Sequence, residues 1–163
     1  MAIKAIFHVN INCSNLDVSL PFYENLGFET VLNLPTGGDA SLAEGLGMAD
    51  CVGKAAIMML NPGDPRQTRL DLIEWVSPND RRPPYEHLAR VGINRIALWT
   101  VGLDDEYERL KADGVDFVSE PLFMGGHTKF VCFRDPDGTI IELIEFHRSP
   151  SGEELAQPAP TVA

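Results

Sequence analysis

One unit is written twice in this chain, and that repeat constrains the fold more than any other feature. The stretch from His8-Val9-Asn10-Ile11-Asn12 through Leu16-Asp17 to Leu26-Gly27-Phe28 is matched by Arg95-Ile96-Ala97-Leu98-Trp99 through Leu103-Asp104 to Asp113-Gly114-Val115. The differences 95 − 8, 104 − 17 and 114 − 27 all equal 87. In both copies an alternating segment predicts a strand. An acidic residue then opens a helix, and a glycine sits where the helix needs a left-handed C′ residue. The closing segments also match, Leu70-Asp71-Leu72-Ile73-Glu74-Trp75 with Ile141-Glu142-Leu143-Ile144-Glu145-Phe146, but at 142 − 71 = 71. The first copy therefore carries 87 − 71 = 16 extra residues, placed in the Gly/Pro-rich region from about Leu34 to Asp50. Apolar strands at Ala55–Leu60 and Phe130–Phe133 precede the closing ones, joined to them by the turns Asn61-Pro62-Gly63-Asp64 and Asp135-Pro136-Asp137-Gly138. Each unit thus reads strand, helix, strand, strand, strand, with second strands at Phe28–Val31 and Val115–Val118.

These units set the expected organisation. Module one spans about 4–78, a polar linker 79–90 and module two about 91–147, together one domain over 1–147. The tail 148–163, rich in Pro, Ser and Ala, is expected to be flexible. With 44% hydrophobic residues a core is within reach. The net charge of −11 argues against wrapping a phosphate backbone, and no polybasic stretch marks an anionic membrane surface. No apolar run approaches the roughly 20 residues of a membrane span. The opening segment Met1–Phe7 reads as part of a first strand rather than as a signal peptide. Cys13, Cys51 and Cys132 form an odd set without CxxC spacing and read as buried small hydrophobes in a reducing cytoplasm.

Strand side chains alternate between faces. Val9, Ile11 and Cys13 share one face of the first strand, expected to lie under the helix, which leaves His8, Asn10 and Asn12 on the other. Arg95, Ala97 and Trp99 take the equivalent places in the second copy, and Asp71 and Glu142 in the closing strands. Four ionisable groups, His8, Asp71, Arg95 and Glu142, thus occupy repeat-related positions, and a pseudo-twofold pairing would point them at one centre. Glu74 and Glu145 fall on the helix side near strand ends and read as solvated rims.

The segments His8-Val-Asn-Ile-Asn, Leu16-Asp17-x4-Phe22-Tyr23-x3-Gly27-Phe28 and Asp135-Pro-Asp-Gly138-x2-Ile141-Glu142-Leu143-Ile144-Glu145 resemble the vicinal oxygen chelate superfamily, which includes glyoxalase I, extradiol dioxygenases and the fosfomycin and bleomycin resistance proteins. The resemblance covers about residues 4–147. It implies an α+β fold of two βαβββ modules forming a cupped, mixed, mostly antiparallel sheet with helices on the outer face. It also implies a homodimer and a small-molecule ligand.

Carried over by position, His8, Asp71 and Glu142 fall on metal-ligand places for a divalent ion such as Zn, Ni, Mn or Fe. The remaining ligand place, a His in the family, holds Arg95, whose guanidinium has no lone pair to give. Arg95 either neutralises Asp71 or Glu142 in place of a metal, or clamps an anionic group of the substrate. Two functions follow. One is a metal-assisted lyase, isomerase or epimerase acting on a small oxygenated molecule, with Glu142 and Arg95 catalytic. The other is a metal-free binding or antibiotic-sequestering protein. Asn10, Asn12, Trp99, Phe130 and His127 are the expected ligand-contacting residues; His127, beside Gly125-Gly126, sits where a lid edge would form.

Overall fold

The computed structural model describes residues 3–64, 66–85 and 87–147. The chain divides into two compact units, Met1–Arg82 and Pro83–Ala163. The fold is mixed α+β with one mixed sheet in each unit.

In the first unit, β1 (His8–Asn12) leads to α1 (Leu16–Asn25), β2 (Glu29–Gly38), α2 (Ala40–Gly45), β3 (Val52–Met59) and β4 (Arg69–Ser77). Strand order is β1-β4-β3-β2, with β1 parallel to β4 and the other pairs antiparallel. In the second unit, β5 (Ile96–Trp99) leads to α3 (Leu103–Ala112), β6 (Asp116–Phe117), β7 (Leu122–Met124), β8 (Thr128–Arg134) and β9 (Ile140–Phe146). Here β5 runs parallel to β9, β9 pairs β8, and both β6 and β7 pair β8. Among the described residues no helix is long and apolar enough to cross a membrane.

The repeat holds at the level of single hydrogen bonds. Cys13 N–H donates to the Ile73 carbonyl at 2.8 Å, and Thr100 N–H to that of Ile144 at 2.9 Å. At the helix ends, Phe28 N–H donates to Tyr23 and Val115 N–H to Leu110, each at 3.1 Å. Gly27 and Gly114 take φ of 92° and 84°, the left-handed conformation that closes a helix and favours glycine.

Helices α1 and α3 each cover one face of their own unit's sheet. Leu16 and Tyr23 of α1 are buried, as are Ile11, Leu70, Leu72, Ala56 and Met58 from the strands. Leu103, Tyr107 and Leu110 of α3 are buried in the second unit with Val131, Phe133, Ile141 and Leu143. Tyr107 meets Phe117 edge-on at 4.7 Å between ring centroids. All three cysteines are buried and none is in a disulfide, as their reading as small hydrophobes expects.

The structure corrects the sequence reading in four places. Regular pairing of the first strand begins at His8, although Arg69 N–H still donates to the Phe7 carbonyl at 3.0 Å; Met1 and Ala2 lie outside the described residues. The inserted region is not only loop: β2 continues to Gly38 and Asp39 caps α2, accepting from the N–H groups of Ser41 and Leu42. In the second unit the corresponding strand is broken into β6 and β7, and Pro121, which has no N–H to donate, stands just before β7. The expected flexible tail lies outside the described residues.

The fourth correction concerns Glu74 and Glu145, which are not solvated rims. Glu74 accepts the Leu16 N–H at 2.7 Å, and Glu145, only 6% exposed, accepts the Gly102 N–H at 2.7 Å. Each closing strand thus delivers a carboxylate to the N-terminus of its unit's helix, where N–H groups lack intrahelical partners and the dipole favours an anion. The charges around them recur as well. Lys54 lies 3.1 Å from Glu74 and 3.5 Å from Asp17 in the first turn of α1. Lys129, which pairs with Glu145 across β8 and β9, bonds Asp104 in the first turn of α3. The Leu16 N–H bond, then Lys54, hold the Glu74 carboxyl below its usual value of 4.5.

Two predictions follow from this lock. Replacing Glu145 by Ala takes the acceptor from the Gly102 N–H at the start of α3 and should cost about 1–3 kcal/mol; Gln retains an acceptor oxygen and should lose less. Urea denaturation of both variants reads the difference. The depressed folded value of Glu74 also stabilises the native state above its unfolded value, and this contribution disappears as pH falls through the folded one. The urea midpoint should therefore drop below about pH 4.5, and Glu74→Gln should flatten that drop in a pH series.

Candidate functional site

The sheet faces away from the helices carry the polar residues that the repeat singled out. In the first unit β1 pairs β4 with Asn10 opposite Asp71 and His8 opposite Arg69. The His8 Nδ1 lies 3.2 Å from Asp71 Oδ2. The other carboxylate oxygen, Asp71 Oδ1, is buried and accepts no hydrogen bond among the described residues. Asn12 is engaged by its own sheet: its Oδ1 accepts the Trp75 indole N–H at 2.9 Å. Asn10 is exposed.

In the second unit the equivalent pair is Arg95 and Glu142. The Arg95 Nε donates to Glu142 Oε2, and Nη1 lies 3.4 Å from Asn94 Oδ1. Glu142 is 3% exposed, whereas the Arg95 side chain is 40% exposed. The buried end of the pair is thus the carboxylate, and the wet end is the guanidinium. Glu142 holds Arg95 above its already high ordinary value, so the cation is permanent. Cys132 stands opposite Glu142 in the β8–β9 register and is itself buried. Burial first, then the neighbouring Glu142 charge, push the Cys132 thiol up, with Arg95 opposing; the group stays protonated.

The sequence-expected ligand contacts fall in different places. Trp99 and Phe130 lie on the same sheet face as Glu142, since β5 sets Ala97 opposite Glu142 and Trp99 opposite Ile144, and β8 sets Phe130 opposite Ile144. His127 is exposed in the turn between β7 and β8, its carbonyl accepting from His147 N–H at 2.9 Å, with Gly125 and Gly126 at φ of 62° and 75°. Within neither unit do three His, Cys, Asp or Glu side chains gather as a metal cage among the described residues.

This geometry, two βαβββ units with repeated ionisable pairs on the faces opposite their helices, defines the class of fold. Residues 5–143 match the model of the Glyoxalase/Bleomycin resistance protein/Dioxygenase superfamily, and the chain belongs to that superfamily. No curated protein matches the chain. Among solved structures it is similar to a glyoxalase family protein from Bacillus cereus, with a TM-score of 0.76 and 20% identity over 90% of this chain and 98% of that one. It is also similar to the trypanothione-dependent glyoxalase I of Leishmania major, with a TM-score of 0.59 and 21% identity over 88% of this chain and 87% of that one. A fosfomycin resistance protein from Listeria monocytogenes, solved with Mn(II) and sulfate, aligns with a TM-score of 0.56 and 18% identity over 92% and 97%. At these identities the likeness establishes the fold.

The Arg95–Glu142 pair makes its own prediction. Truncating Arg95 leaves a buried carboxylate without its cation, whereas truncating the guanidinium and neutralising Glu142 together removes both charges. Arg95→Ala should destabilise the protein more than the double variant with Glu142→Gln, with a coupling of about 0.5–3 kcal/mol in a double-mutant cycle read by chemical denaturation.

Proposed function

We propose that this protein binds a small oxygenated molecule and that Arg95, fixed by Glu142, supplies the positive charge there in place of a divalent metal. The Arg95–Glu142 pair carries this reading. It stands where the repeat puts His8–Asp71 in the first unit, yet it joins a permanent cation to the carboxylate that a metal would need. A guanidinium has no lone pair for a metal, and its fixed charge repels a dication close by. Its uncommitted N–H groups point to a different use: donating to a carbonyl or hydroxyl oxygen of the ligand.

If chemistry accompanies binding, these groups would stabilise negative charge as it develops on that oxygen. The Glu142 carboxylate beside Arg95 is the candidate base for moving an adjacent proton. That is the lyase or isomerase form of the reading; sequestration needs the binding step alone.

One observation favours a second reading. The buried Asp71 Oδ1 without a donor is what a cation ligand would leave when the cation is absent. On that reading His8 and Asp71 help to hold a divalent ion, and the Mn(II) in the Listeria fosfomycin resistance protein is the precedent.

Elemental analysis of protein purified without chelator, with melting temperatures measured on adding Mn²⁺, Ni²⁺, Fe²⁺ or Zn²⁺, separates the two. A preformed site stabilises by mass action, about 2.7 kcal/mol at a hundred times the dissociation constant. The expected outcome is substoichiometric metal and an unchanged Tm in the natural protein. Arg95→His, which restores an imidazole and frees Glu142, should acquire a metal-dependent rise. A rise in the natural protein that disappears in His8→Ala and Asp71→Asn would overturn the metal-free reading.

A further inference from the structure

Beside the Arg95–Glu142 pair the second unit carries an apolar row that its core does not use. Cross-strand partners share a face, so Trp99, Ile144, Phe130 and Leu122 form one continuous line across β5, β9, β8 and β7. With strands about 4.8 Å apart, three steps make a row of about 14 Å. Its ends are open, Trp99 being 59% and Leu122 54% exposed, while Phe130 and Ile144 between them are half-buried. The next row along the same face is Ala97, Glu142 and Cys132. Ala97 is exposed and is the smallest side chain on this face of β5, and the step it leaves between the longer Arg95 and Trp99 is the hollow a ligand would use.

The charge state at the polar end narrows what fits. Arg95 is matched by Glu142, and the Cys132 thiol is uncharged, so this end offers donor hydrogens with no net charge. A ligand carboxylate would lose its hydration without gaining a full counter-charge, because Glu142 already matches Arg95, and a ligand ammonium would meet the exposed guanidinium. A carbonyl oxygen meets neither penalty and accepts from the guanidinium.

Resting on the metal-free binding reading, we infer that the ligand of this face is an uncharged aromatic carbonyl compound. Its ring lies along the Trp99–Ile144–Phe130–Leu122 row, and its oxygen meets Arg95 across Ala97. Flat rings suit a row that begins with an indole and is otherwise aromatic or branched aliphatic, because stacked or edge-on contact adds to area burial. Flanking polar donors then fix orientation.

The chain's two tryptophans report on the two units separately, Trp75 in the first and Trp99 in the second. Acetophenone is titrated into the uniformly ¹⁵N-labelled full chain and the two indole N–H resonances are followed. Benzoate, benzylammonium and cyclohexyl methyl ketone serve as anionic, cationic and non-flat comparisons. Saturable movement of the Trp99 resonance by acetophenone is expected, with a dissociation constant on the order of 1 mM for so small a probe. The three comparisons should bind at least about tenfold more weakly. Ala97→Leu fills the hollow and should abolish the shift, while the rest of its spectrum shows that the fold persists.

Movement of Trp75 alone would overturn this inference while leaving small-molecule binding intact. Tighter binding of benzoate or benzylammonium would overturn the uncharged class. No movement of either indole with any probe would overturn the site itself, whereas the metal-free reading is decided separately by the metal titrations.

Discussion

A carboxylate on the last strand of each unit, bonded to the backbone at the start of that unit's helix, is the contact that orients everything else. Apolar packing holds α1 and α3 against their sheets but is non-directional. The Glu74–Leu16 and Glu145–Gly102 bonds, each 2.7 Å, are directional and fix where the helix begins along the strand. The second unit shows the need most clearly. Its N-cap is Gly102, left-handed at φ 72° with no side chain to cap with, so Glu145 alone supplies the acceptor. In the first unit Asn15 accepts from Asp17 N–H as well, and the task is shared.

The same strand that anchors the helix also presents the candidate site, and simple parity explains how. Asp71 and Glu74 are three residues apart, as are Glu142 and Glu145. An odd separation on a period-two strand sends the members of each pair to opposite faces. One carboxylate therefore serves the fold and the other faces away from the helix. Slipping the closing strand by one residue would send each to the other face, turning the site carboxylate under the helix and the anchor onto the open face. A register error here would cost fold and site together.

Much of this was legible in the sequence, and the failures share a cause. The repeat exposed the βαβββ units because hydrophobic period, helix-closing glycines and turn residues all recurred together. Parity placed His8, Asp71, Arg95 and Glu142 on the faces away from the helices for the same reason. Glu74 and Glu145 were misjudged because parity gives a face but not a partner, and a carboxylate on the helix side looks exposed until a specific N–H is there to meet it. Helix α2 was hidden in a Gly/Pro-rich stretch, six residues long and too short for a periodic pattern; only Asp39, a good N-cap residue, hinted at it. The split of β6 from β7 turns on Pro121, visible in the sequence but ambiguous until its neighbours in the sheet are known. The apolar row was the least legible feature of all. Its members come from four separate strands, so only the register aligns them.

The two copies differ most where function would be decided. His8–Asp71 and Arg95–Glu142 occupy equivalent strand positions, yet their chemistry has separated. An imidazole can donate through one nitrogen and accept through the other, so the first pair remains adjustable. A guanidinium can only donate and stays charged, so the second pair is a fixed dipole, its negative end buried and its positive end wet. Lengthening Asp71 to the equivalent Glu142 lets the second carboxylate reach a larger partner while staying inside the sheet. A fixed dipole next to an aromatic row selects for an oxygen at one end of a flat molecule. An adjustable pair selects for a proton or a cation. The two units thus offer different chemistry at equivalent strand positions, a pair that can both donate and accept in the first and a permanent orienting charge in the second.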